Sequence, residues 1–82
     1  MRVEYKLVGL GRNKKATLEL LNTDREIFWA DIDMPDDRFN ALWDYCKGES
    51  YEKNIKIAEV ECDYVTKDGN PVNGVMKGFR NL

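Results

Sequence analysis

Asp33-Met34-Pro35-Asp36-Asp37-Arg38-Phe39-Asn40-Ala41-Leu42-Trp43-Asp44-Tyr45-Cys46-Lys47-Gly48 decides how the rest of this 82-residue chain is read. Phe39, Leu42, Trp43 and Cys46 fall at i, i+3, i+4 and i+7, so they share one stripe of an α-helix. Pro35 suits a first helical turn because the amide it lacks has no intrahelical partner there. Asp36 and Asp37 complement the positive end of the helix dipole, and Gly48 supplies a stop.

On either side of this helix the apolar period is two. Val3, Tyr5 and Leu7 alternate with Arg2, Glu4 and Lys6, which predicts a half-buried first strand over residues 2–8. Gly9 to Lys15 is a glycine-containing basic loop. Ala16, Leu18 and Leu20 make a second strand, and Asn22-Thr23-Asp24-Arg25 has the residues of a hairpin turn. Glu26 to Ile32 is rich in β-formers with apolar side chains on both faces, as expected for a third strand covered on both sides. After the helix, residues 49–54 form a polar connection and a fourth strand begins near Ile55. There Ala58, Val60, Cys62 and Tyr64 alternate with Glu59, Glu61 and Asp63. Thr66 to Pro71 reads as a turn, and Val72 to Phe79 as a fifth strand kinked at Gly74 and Gly78.

Five strands with one helix between the third and fourth is the order of an all-β domain with one helix, the OB-fold. That fold is a five-stranded Greek-key barrel, strand-strand-strand-helix-strand-strand along the chain. A ferredoxin-like sandwich needs a second helix, and an SH3-like barrel rarely has one this long. The chain is expected to be a single domain over residues 1–82 and a monomer.

Composition narrows the chemistry. The chain has no His, which removes Ser-His and Cys-His nucleophile pairs and imidazole-rich zinc sites. Cys46 and Cys62 lack metal-site or disulfide-framework spacing and are expected to be reduced core residues of a soluble, cytoplasmic protein. No apolar run is long enough for a membrane span, and residues 1–6 lack a signal-peptide core. The net charge of −2 is segregated along the chain. Residues 1–15 carry +4, residues 16–63 carry −8 and residues 64–82 carry +2. A segregated distribution of this kind can present one positive face despite the overall sign.

Val60 to Arg80 resembles the end of the OB-fold domain of ATP-dependent DNA ligases, where a strand, a Thr-x-Asp-Gly turn, a proline and a last strand with a basic residue recur in this order. Thr66-Lys67-Asp68-Gly69, Pro71 and Arg80 are the matching residues. Lys6 to Gly11 is similar to the family's first strand and loop, and Asp24 to Phe28 to its second hairpin. The resemblance implies a non-catalytic domain that closes over nicked duplex DNA beside a nucleotidyltransferase domain, with ATP and Mg2+ used by that partner. No cofactor or catalytic residue is expected in this chain itself. Of the family's terminal Arg-x-Asp-Lys motif only Arg80 is matched, since Leu82 stands at the acidic position, and Gly74 and Met76 replace its usual proline and phenylalanine. Lys67-Asp68-Gly69 is one residue short of the family's nucleophile motif and sits in a turn, so Lys67 is not a nucleophile.

The candidate DNA-binding residues are therefore Arg12, Asn13, Lys14 and Lys15 in the first loop with Lys67 and Lys77. Arg80 is the candidate for a nucleotide phosphate. Phe28 and Trp29 lie on opposite faces of one strand and are weighed as base-stacking platforms against ordinary burial. Asp31, Asp33, Asp36 and Asp37 are read as helix-start electrostatics rather than as a metal site. An alternative function is protein interaction or DNA mimicry through the acidic middle of the chain, with a single-strand-binding barrel as a third reading.

Overall fold

The computed structural model describes residues 1–11, 13–21, 26–48 and 56–81. Its elements are β1 (Arg2–Gly11), β2 (Lys15–Glu19), β3 (Ile27–Ile32), α1 (Asp36–Gly48), β4 (Lys56–Glu61), β5 (Tyr64–Val65), β6 (Pro71–Val72) and β7 (Val75–Asn81). The domain is mostly β with one helix. Five strands pair in the order β1-β2-β3-β7-β4, and β4 pairs back onto β1, so the sheet has no free edge. β5 and β6 form a separate two-stranded hairpin.

β1 makes the closure possible. Residues 2–7 pair with β4, and residues 6–11 pair with β2. Between Leu7 and Gly9 the register slips by one residue, a bulge that turns the strand from one neighbour to the other. The slip also changes which side chains face inward: Tyr5 and Leu7 are buried before it, whereas Leu10 packs against the core after it. The ring is completed by a short parallel seam, Asp31 beside Val75 and Ile32 beside Met76, which the Asp33 amide extends by donating to the Met76 carbonyl at 2.9 Å.

Alternation puts Ala16 and Leu18 of β2, Phe28, Ala30 and Ile32 of β3, Ala58 and Val60 of β4, and Met76 of β7 into one interior. The predicted stripe of α1 joins the same cluster. Phe39, Leu42 and Cys46 are buried and Trp43 is half-buried, with the Phe39 and Trp43 rings 6.3 Å apart. Both cysteines are free and buried. No helix among the described residues is long and apolar enough to cross a membrane.

Five expectations are corrected. The basic loop does not span Gly9 to Lys15, because β1 continues to Gly11 and Lys15 already opens β2. Residues 72–79 are not one strand: β6 ends at Val72, Asn73 takes a left-handed φ of 54°, and β7 starts only at Val75. The chain thus has seven described strands instead of five, because the connection from β4 to β7 folds into its own hairpin. Tyr64 does not continue the inward alternation and is exposed, since β4 ends at Glu61. β3 is covered on one face only, which leaves Trp29 and Ile27 exposed. The predicted turn at 22–25, the connection at 49–54 and the start of β4 at Ile55 lie outside the described residues.

The β5–β6 hairpin is tied to the sheet through its turn. Thr66 and Asn70 close it with backbone bonds, and Gly69 takes φ +97°, where a Cβ would also come within 2.8 Å of Leu20 Cδ2. The Tyr5 hydroxyl donates to the Gly69 carbonyl at 2.7 Å. Tyr5 is fully buried, and burial, with a smaller effect from Cys62, pushes its phenol up to about 12. A raised folded-state value stabilises fully below the ordinary tyrosine range, and the contribution fades as pH rises through about 12. Tyr5→Phe is expected to cost about 0.5–1.5 kcal/mol at neutral pH from the lost hydrogen bond. It is also expected to flatten the fall in melting temperature at alkaline pH. Parallel alkaline profiles for the two proteins count against this account. Leu18→Ala, at a fully buried site, is expected to lower unfolding free energy by about 2–5 kcal/mol in denaturant titration.

Candidate nucleic-acid interface

The β1–β2 turn places the first predicted residues. Asn13 and Lys14 form the turn, with Lys14 at a left-handed φ of 61°, its amide donating to the Gly11 carbonyl and its own carbonyl accepting from Ile32. That last bond fastens the turn to the end of β3. Lys15 then opens β2 directly opposite Asp31. Arg12 lies outside the described residues.

Three lysines consequently meet the acidic stretch where β3 runs into α1. Lys14 Nζ is 2.6 Å from an Asp36 carboxylate oxygen, Lys77 Nζ is 2.5 Å from Asp33, and Lys15 pairs with Asp31. The hydrogen bond from Lys77 followed by its charge holds the Asp33 carboxyl below the usual range, and Lys14 does the same to Asp36. Lys77 in turn is held above its usual value by the Asp33 bond and charge. The sequence therefore names cations that the fold does assemble, but assembles upon carboxylates.

Arg80 and Lys67 stand apart from that group. The Arg80 guanidinium is engaged as a fork, with Nε 2.7 Å and an Nη 2.9 Å from the two Glu4 oxygens, and the Glu4 carboxyl is lowered by that bond. The expected free terminal cation is thus an ion-paired one. Lys67 is exposed in the turn between β5 and β6 and has no ion pair among the described residues.

Beside the lysine group lies the outer face of β2 and β3. Lys15, Thr17 and Glu19 point outward from β2, and Ile27, Trp29 and Asp31 from β3, with Trp29 directly opposite Thr17. Both carboxylates on this face are paired, Asp31 with Lys15 and Glu19 with Lys6 at 3.6 Å. The row between them is uncharged, so the acidic middle of the sequence does not gather here. Trp29 is 66% exposed, whereas Phe28 faces the core and meets Tyr5 edge-on at 6.1 Å.

An open groove of about 210 Å³ runs between this face and the β6–β7 connection, lined by Lys15, Trp29, Ala30, Asp31, Pro71, Asn73 and Gly74. A second, of about 400 Å³, begins on the far side of Asn73 and reaches Lys77, Glu61 and Asp63. The strand alternation of residues 27–32 was the available signal for Trp29, since it puts Trp29 opposite in sense to Phe28. Among the described residues no group of three or more Asp, Glu, Cys or His is arranged to hold a metal ion.

Comparison with protein-family models, with curated proteins and with solved structures yields no match.

Because the folded-state values of Asp33 and Asp36 are lowered, their stabilising effect is present above the ordinary carboxylate range and is lost as pH falls through the lowered values. The melting temperature of the unmodified protein is expected to drop more steeply between about pH 5 and about pH 2 than that of an Asp33→Asn, Asp36→Asn variant. Identical slopes would show that the two pairs contribute nothing to folding.

Proposed function

We propose that the chain is an OB-fold Greek-key barrel serving as a non-catalytic nucleic-acid-binding domain, of the kind that accompanies the nucleotidyltransferase of ATP-dependent DNA ligases. In this reading it grips the duplex backbone around a nick. ATP and Mg2+ belong to the partner domain, and this chain supplies phosphate contacts alone. The observation that carries the reading is the placement of Lys14, Lys15 and Lys77 around the β3–α1 junction, next to the open face of β2 and β3. The strand order supports it, because a last strand inserted between the third and fourth brings these lysines, remote in sequence, to one side of a closed sheet.

Binding then proceeds by exchange. A phosphate reaching Lys14 or Lys77 displaces Asp36 or Asp33, so part of the attraction is spent on separating an existing pair. These are exposed pairs and separate readily in water, but they lower the net gain. Asn13 can donate its side-chain amide without displacing a partner among the described residues, and Lys67 offers a cation with no described carboxylate partner. Arg80 reaches a nucleotide phosphate only on leaving Glu4. An acidic docking surface is the weaker alternative, since the carboxylates of the β2–β3 face are neutralised by lysine.

The test is a titration against nicked and intact duplex at two salt concentrations. With three phosphates contacted, affinity is expected to fall about 40-fold between 50 and 200 mM salt. Replacing Lys14 and Lys15 by alanine is expected to weaken binding to both duplexes, and Asp36→Asn, which frees Lys14, to strengthen it. Absence of binding at both salts, or binding indifferent to salt, would sink the proposal.

A further inference from the structure

Trp29 has its ring both uncovered and fixed on the main sheet; among the described aromatics only Tyr64, 57% exposed on the two-residue strand β5, is comparably open. The Trp29 backbone is held in β3, paired with Thr17 of β2, so the indole stands on rigid sheet rather than on a loop. The residue is 66% exposed, and no ring or cation among the described residues stacks on it. Phe39 and Trp43, by contrast, pack on one another, and Phe79 and Tyr45 lie against the Lys56 ammonium.

The groove around Trp29 has polar groups suited to one kind of planar ligand. Pro71 and Gly74 line it opposite the strands, Lys15 and Asp31 stand at its edge as an ion pair, and Asn73 lies between this groove and the next. The Asn73 amide nitrogen already donates to Asp63 at 2.8 Å, so the side chain is oriented and its carbonyl oxygen remains an acceptor. A flat ring with donors on its edge fits this set, the ring on the indole and the edge toward Asn73; an anion attached to it reaches Lys15 only by displacing Asp31.

We infer that Trp29 is the stacking platform for an unpaired nucleobase, so that this groove takes single-stranded nucleic acid. The inference rests on the nucleic-acid reading above and adds a strand preference to it. A base inside an intact duplex has both faces covered by its neighbours and cannot lie on the indole. A base at a gap, a flap or a frayed nick can. Stacking is indifferent to base identity and does not depend on charge, which suits a face whose ion pairs leave little net field.

The experiment follows tryptophan emission of the whole chain during titration with a thymidine homopolymer of about 12 nucleotides and, separately, with an intact duplex. The homopolymer is expected to quench Trp29, with half-buried Trp43 as a constant background. Trp29→Ala should abolish the quench and weaken single-strand binding by about 5- to 100-fold. It should leave intact-duplex binding and the melting temperature unchanged, the side chain being exposed. Trp29→Phe keeps a ring and should retain most of the affinity. Unaltered single-strand affinity in Trp29→Ala overturns the assignment of Trp29, as does duplex binding without any homopolymer binding; the backbone-gripping reading survives either result. Failure of both nucleic acids to bind overturns the two together.

Discussion

The whole domain depends on one strand serving two neighbours. Because β1 is ten residues long, its first half can complete the ladder of β4 while its second half starts that of β2. A shorter strand would leave two sheet edges exposed. The bulge at Leu7–Gly9 is the hinge of this arrangement, and it costs one unpaired residue while re-aiming Leu10 at the interior that Tyr5 and Leu7 already occupy. The apolar stripe of α1 adds to that interior, and the β5–β6 hairpin is tied to it where the Gly69 carbonyl receives the Tyr5 hydroxyl.

Closure also explains the electrostatics. Along the chain, positive ends flank a negative middle. In space, Lys14 and Lys15 arrive beside β3 because the turn between β1 and β2 is bonded to Ile32, and Lys77 arrives because β7 slots against β3. Each lysine meets an aspartate of the 31–36 stretch, and Arg80 meets Glu4 across the sheet. The segregation seen in one dimension is thus folded into alternating pairs. In the proposed function, nucleic acid is accordingly held by modest charge exchange together with an uncharged aromatic surface, and less by a continuous positive face.

Much of the local structure was legible in the residues. The helix start at Asp36, its end at Gly48 and the stripe through Phe39, Leu42 and Cys46 follow from period and capping chemistry, which act within a few residues. The inward alternation of Ala58 and Val60 and the turn at Thr66–Asn70 are local in the same sense. Exposure of Trp29 was not legible, because an apolar side chain on the second face of a strand looks alike whether another element covers it or not. Nor was the division of residues 72–79, which turns on Asn73 adopting a left-handed conformation. The ion pairs are least visible of all: Lys14 and Asp36 are 22 positions apart, Lys77 and Asp33 are 44, and Arg80 and Glu4 are 76. The turn positions of Lys14 and Lys67 and the strand position of Lys77 follow from local pattern, Lys15 opens β2 instead of lying in the loop, and nothing local shows what stands opposite any of them.

The pairing of β1 and β7 on either side of β4 has a mechanical corollary. Arg2 lies opposite Glu61 and Asn81 opposite Lys56, so the outer ends of β1 and β7 sit at opposite ends of β4. Tension applied between those two points runs along the strands, and it drags β1 and β7 past β4 in opposite directions. The cross-strand hydrogen bonds lie perpendicular to that pull. They are loaded together in shear instead of being opened one after another, which makes this strand order a stiff element when force is transmitted through it.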